Sequence, residues 1–222
     1  MSSSSERSFL LRRLHSFSGI FPVGAFLLEH IYTNFHATRG PDAYNEKVRA
    51  LTELPMVVVL ELFFIWIPIL YHGLYGVYVW WRGETNLGDY PLRGNWLYSA
   101  QRWTGLVTFA YIAFHVWEQR FAGVHIITHP EVAFSKVQHS IAVPAVHAFY
   151  ILGLLAACFH FAYGLWLFAC KWGLTPGMQA QRRLFWACLA LFAVLSGAGL
   201  ASLRSFSVTK PLPRPEQIVR NP

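Results

Sequence analysis

Charge is scarce in this chain. Only 13% of its 222 residues are Asp, Glu, Lys or Arg, about half the share of a soluble domain, which excludes a water-facing surface over most of its length. Cysteine is scarce as well. Cys158, Cys170 and Cys188 fall within or at the ends of apolar segments without paired ligand spacing, so they read as small packing residues, and a cysteine-held iron-sulfur cluster is excluded. No Cys-x-x-Cys-His stretch occurs, so any haem is held without thioether links. No dinucleotide-binding glycine pattern occurs either. The net charge of +7 is scattered without a basic run, which argues against nucleic acid as a partner.

What is there is apolar: 55% hydrophobic and 17% aromatic residues. Runs able to cross a hydrocarbon layer of about 30 Å, which takes about 20 helical residues, lie at roughly 17–37, 56–81, 97–117, 142–170 and 184–203. They are too long and too uniformly apolar for barrel strands, and a backbone in lipid must satisfy its own hydrogen bonds. The expected fold is therefore an all-α membrane protein, a five-helix transmembrane bundle forming one domain over 1–222. The first run follows no cleavage-type sequence and contains Pro22, Glu29 and His30, so it reads as a retained helix and not as a signal peptide. Nine Lys and Arg residues border the N-terminal side and five lie in the two opposite loops, which favours a cytoplasmic N-terminus. The tail adds Arg204, Lys210, Arg214 and Arg220 to the opposite side and equalises that count.

Four of the runs each carry one deep histidine: His30, His72, His115 and His160. An intramembrane ionisable residue is costly and marks function. Successive spans alternate in direction, and at about 1.5 Å per residue His30 and His115 lie about 20 to 27 Å from the N-terminal side. His72 and His160 lie about 14 Å from it. The four therefore sort into two layers, as cofactor ligands on facing helices do. The near pair sits in His72-Gly-Leu-Tyr-Gly76 and His160-Phe-Ala-Tyr-Gly164; a glycine four residues on bares the helix face beside the imidazole, which suits a flat macrocycle. The far pair has Asn34 and Gln119 at that spacing. Two bis-histidine b haems are the economical reading. Such an iron has no open position, so its task is electron transfer. Zinc fits two separated pairs poorly, and interhelical hydrogen bonding is the plain alternative for any one histidine. Most of His36, His125, His129, His139 and His147, in or beside the far-side loops, read as solvated.

At RRLHSFSGIFPVGAFLLEH (12–30), LPMVVVLELFFIWIPILYHGLYGVY (54–78), QRWTG with FHVW (101–117) and FHFAYGLW (159–166), the chain closely resembles the cytochrome b membrane anchor of succinate dehydrogenases and fumarate reductases, in the five-helix, two-haem type that works with menaquinone. The resemblance covers residues 8 to about 200. It implies that the histidines of the first and third runs, His30 and His115, bind the haem farther from the catalytic subunits and those of the second and fourth, His72 and His160, the nearer one. It further implies a flavoprotein and an iron-sulfur protein as partners on the cytoplasmic face of the inner membrane. The dicarboxylate site would lie on those partners.

Haem propionates need cationic or hydroxyl partners. Arg13, His15, Ser16, Arg102 and Lys171 border the near layer, with Arg102 and Lys171 leading. His15 and Ser16 could instead line a near-side quinone pocket, and snorkelling interfacial cations are the plain alternative for the arginines and lysine. Three acids, Glu29, Glu61 and Glu118, fall in apolar surroundings of the far layer. Glu61 is the leading candidate for proton transfer to quinone, since an acid on helix II is associated with quinone handling in the resembled family. Rival readings are the cytochrome b subunit of a hydrogenase or formate dehydrogenase and a histidine-lined ion or metal transporter.

Overall fold

The computed structural model describes residues 3–84 and 87–220, and among these the regular structure is helical. Helix α1 (Ser3–Ile20) passes into α2 (Pro22–Phe35) across Phe21. Pro22 has no N–H to give to the preceding turn, so the ladder breaks there. Phe21 N–H to Phe17 O at 3.0 Å is the last bond before the break, and Ala25 N–H to Phe21 O at 3.3 Å follows it. A short 3-10 turn then leads to Gly40, whose φ of 102° ends it, and Pro41 opens α3 (Pro41–Thr52) at a position that needs no donor.

The second span is α4 (Val57–Glu61), a π-helical turn at Leu62–Trp66, and α5 (Ile67–Arg82). The third is α6 (Arg93–Val116), followed by another π-helical turn at Trp117–Phe121. Wide turns of this kind insert one extra residue and collect at functional sites. Helix α7 (Ala133–Ile141) precedes α8 (Pro144–Lys171), α9 (Met178–Val208) and a short α10 (Pro215–Arg220). The end of α8 closes with Gly173 in the left-handed region at φ 74°. There Leu174 N–H bonds Ala169 O at 2.9 Å and Gly173 N–H bonds Cys170 O at 3.3 Å, the paired closure that spares the last carbonyls.

Among the described residues, three stretches, Val57–Arg82, Pro144–Lys171 and Met178–Val208, are long and apolar enough to cross a membrane. The first expected span is broken at Phe21, which leaves α2 only 14 residues long, and α6 over the third carries Asn95, Gln101 and Arg102. On α5 and the turn before it, Phe63, Phe64, Leu70 and Leu74 are all more than half exposed. At about 25 cal/mol per Å² such a face is untenable in water and at home in lipid.

The chain forms two compact units. Unit 1 is Met1–Leu27, Leu60–Phe109 and Ala156–Ala193; unit 2 is Leu28–Val59, Ala110–Leu155 and Val194–Pro222. Within unit 1 the helices approach through glycine: a Cβ on Gly24 would stand 2.3 Å from the Phe161 ring, and one on Gly73 the same distance from Phe109. Within unit 2, Gly153 and Gly199 admit Tyr111 and Leu154 in the same way. Small residues that let helices close up are the usual device where lipid offers no hydrophobic drive. Unit 2 also has an apolar core built on α3, α7, α8 and α9, with Tyr44, Phe134, Tyr150 and Phe206 at its centre. Gln138 pins the chain beyond α9, giving Nε2 hydrogens to Phe206 O (3.1 Å) and Thr209 O (2.9 Å) and accepting Leu212 N–H on Oε1 at 2.9 Å. His139 adds a contact to Leu212 O at 3.0 Å, so this histidine is a structural tie.

Candidate functional site

Each unit holds one histidine couple. In unit 1 the ring centroids of His72 and His160 lie 6.1 Å apart with planes crossing at 77°. In unit 2 those of His30 and His115 lie 5.7 Å apart at 79°. A metal between two imidazole nitrogens, at about 2 Å from each, needs ring centres separated by about 6 Å. Both couples have that spacing.

The hydrogen bonds around the rings decide which nitrogen is free. His72 Nδ1 lies 2.9 Å from the carbonyl oxygen of His15, and His160 Nδ1 lies 3.0 Å from that of Gln101. A carbonyl only accepts, so both rings carry their proton on Nδ1 and keep the Nε2 lone pair for a ligand. An anchored Nδ1–H is the usual support of a metal-bound imidazole.

The two halves of this layer are built alike. His15 and Gln101 each lie four residues before a glycine, and each of those glycines meets the imidazole of the next helix. A Cβ on Gly19 would stand 2.3 Å from His72 Cε1, and one on Gly105 would stand 2.6 Å from His160 Cε1. Gly76 and Gly164, expected to bare the helix beside a macrocycle, face polar side chains: a Cβ on Gly76 would be 3.3 Å from His15 Nε2, and one on Gly164 would be 3.2 Å from Gln101 Nε2. His15 also stacks on His72, with centroids 4.2 Å apart and planes 6° from parallel.

Arg102 and Arg13 meet backbone. The Arg102 guanidinium gives hydrogens to Trp80 O, to Gly83 O at 2.8 Å and to Glu84 O at 3.3 Å, capping the C-terminus of α5, where a cation also meets the negative helix end. Arg13 does the same for α8, with Nη1 2.9 Å from Lys171 O and its guanidinium over the Trp172 ring. Among the described residues, His15 Nε2 and Arg102 Nε are buried without a hydrogen-bond partner. Ring and guanidinium N–H groups are what a carboxylate accepts from, so this layer fits a porphyrin with its propionates. Ser16 lies beside His15 on α1 and Lys171 ends α8.

In unit 2 the anchor is a side chain. His115 Nδ1 lies 3.3 Å from the Tyr150 hydroxyl, which also accepts from Gln119 Nε2 at 3.0 Å and donates to Glu118 Oε2 at 2.9 Å. Glu29 accepts from Thr33 one turn on, and Asn34 Nδ2 gives a hydrogen to His30 O at 2.8 Å. Glu61 ends α4 immediately before the π-helical turn and is partly buried.

No family model matches the sequence. Among characterised proteins, the chain is 40% identical over 203 residues to the succinate dehydrogenase cytochrome b558 subunit of Bacillus subtilis (strain 168), covering 91% of this chain and 99% of that protein. The chain belongs to that succinate dehydrogenase cytochrome b family. The family membership and the three long apolar helices agree on a membrane protein. Sequence reasoning missed Gly19, Gly105 and Tyr150. The first two had a signal, a repeated Ser/Thr-Gly pair at 18–19 and 104–105; Tyr150, ten residues before His160 on the same helix, had none.

Proposed function

We propose that this chain is the membrane-anchoring cytochrome b subunit of a succinate dehydrogenase or fumarate reductase, holding two b haems on His72 with His160 and on His30 with His115. The observation that carries the reading is the pair of imidazole couples at near-ligand spacing, with the Nδ1 atoms of His72, His160 and His115 engaged in hydrogen bonds that leave their Nε2 atoms for a ligand. When bound, a six-coordinate b haem supplies one-electron transfer and no open coordination position. The protein orients the rings, keeps Gly19 and Gly105 against them, and offers His15, Ser16, Arg13, Arg102 and Lys171 to propionates. Among the described residues, Arg102 Nε and His15 Nε2 are buried guanidinium and ring nitrogens without a hydrogen-bond partner.

The partners in this reading are a flavoprotein and an iron-sulfur protein on the cytoplasmic face of the inner membrane, with the N-terminus on that side. Electrons pass between the iron-sulfur partner and menaquinone. Glu61 carries protons to or from the quinone on the far side, since each quinol formed takes up two. The π-helical turn directly after Glu61 supports a role there, because such turns gather at functional positions.

The test is haem counting on the purified complex. Dithionite-reduced material should show b-type bands and two haems per chain. Replacing His72 or His160 should remove one haem, and replacing His30 or His115 the other. Material without b-type bands, or loss patterns pairing His30 with His72, would overturn the assignment. Glu61→Gln should keep both haems and lose quinone turnover; retained turnover would remove Glu61 from the proton path.

A further inference from the structure

The four histidines are not held alike. In unit 1 the acceptors of the ring protons are main-chain carbonyls, neutral groups that no side-chain change can remove. In unit 2 His115 meets the hydroxyl of Tyr150. A hydroxyl has one proton to give and two lone pairs. Glu118 Oε2 takes the proton at 2.9 Å, and the lone pairs face Gln119 Nε2 at 3.0 Å, His115 Nδ1–H at 3.3 Å and the Ser140 side chain. Tyr150 and Gln119 are buried, at 3% and 6% exposed, while His115 and Glu118 are partly buried.

The geometry follows from the chain. Positions 115, 118 and 119 lie on one face of a helix, and the π-helical turn at Trp117–Phe121 carries Glu118 and Gln119. Glu118 also lines a cavity of about 390 Å³ with Lys136, His139, Ser140, Arg214 and Glu216. A carboxylate in that polar wall is thereby joined to His115 through a single hydroxyl.

We propose that Tyr150 and Glu118 form a positioning relay for the haem of the His30–His115 couple: Tyr150 fixes the His115 ring by its Nδ1 proton, and Glu118, accepting the Tyr150 proton, makes that imidazole a stronger electron donor than the carbonyl-held rings of the other couple. Partners of this kind raise ligand basicity and tune the metal they never touch. The oxidised iron is favoured, so this haem has a lower midpoint potential than it has without the relay. The proposal rests on the bis-histidine reading above.

The experiment is optical redox titration of the intact complex in membranes, with haem counted in each sample and the affected midpoint assigned by a His30 variant. Glu118→Gln keeps the size and the hydrogen bond but removes the charge, and Tyr150→Phe removes the link. Both variants should keep two haems, raise one midpoint and leave the other in place. In the Tyr150→Phe background, Glu118→Gln should add no further shift, because residues acting through one another are not additive. Two haems with both midpoints unmoved would overturn the relay while leaving the ligand assignment standing, as would shifts that add in the double variant. Absence of b-type haem from the unmodified complex would instead remove the ligand assignment itself. Should Tyr150→Phe lose the haem, Glu118→Gln alone decides.

Discussion

Gly19 lies so close to His72 that a methyl group in place of its hydrogen would stand 2.3 Å from the imidazole Cε1. Real side chains do not tolerate that distance, so the ring of one helix occupies the space that any other residue at position 19 would fill. Gly105 stands to His160 in the same relation, at 2.6 Å.

Gly19→Ala and Gly105→Ala should therefore each expel an imidazole from its place. In an ordinary helix the exchange gains up to about 1 kcal/mol; here it should cost the haem of the His72–His160 couple and leave that of His30–His115. Pyridine haemochromogen assay on the purified complex would read one haem where the unmodified protein has two. An alanine variant that retains both would show that the close approach has no bearing on the ligand.

Arg102→Ala should act on the fold before it acts on the cofactor. Three carbonyls at the end of α5 lose their donor, a loss of about 1–3 kcal/mol in thermal unfolding. Arg102→Lys should recover little of it, because one ammonium cannot span three acceptors as a planar fork does. Melting in detergent, followed beside the Soret band, checks this. Haem loss without a change in melting would instead assign the guanidinium to propionates alone.

Lys136 in α7 gives hydrogens to Ala122 O at 2.6 Å and Val124 O at 2.8 Å while only 8% exposed. Burial lowers its ammonium below the ordinary 10.5, an effect that Glu118 and Glu216 partly offset. The unfolded chain thus binds this proton more tightly than the folded one. The difference weakens the fold at neutral pH and fades as pH rises through the folded value toward 10.5. Lys136→Met should lose about 1–3 kcal/mol through the two unpaired carbonyls and should also lose this pH dependence. Melting curves from neutral pH upward should show the stability advantage of the unmodified protein growing with pH; a constant advantage would mean the charge carries no penalty.

Much of this was legible in residue order because membrane helices obey few rules. The second, fourth and fifth apolar runs became the three helices long enough to cross, and depth counting alone sorted the histidines into the couples that the two units contain. The break in the first run was encoded by Pro22. Other features depend on what folding brings together. Sequence placed Arg102 at a membrane border but could not say which oxygens it meets. Gly76 and Gly164 each follow a histidine by four residues on their own helices, and only folding brings His15 and Gln101 from other helices beside them. Tyr150 looked like one aromatic among many, and its hydroxyl gains meaning only from three side chains of α6 and the turn after it. The ties made by Gln138 join segments about 70 residues apart, beyond the reach of periodicity.

Support from main-chain oxygen has a further result at positions 15 and 101. Whatever side chain mutation places there, the atom that steadies the neighbouring ring stays, so an imidazole at one and an amide at the other perform the same service. At both sites the ring's anchor survives a change of side chain, while position 150 has no such insurance.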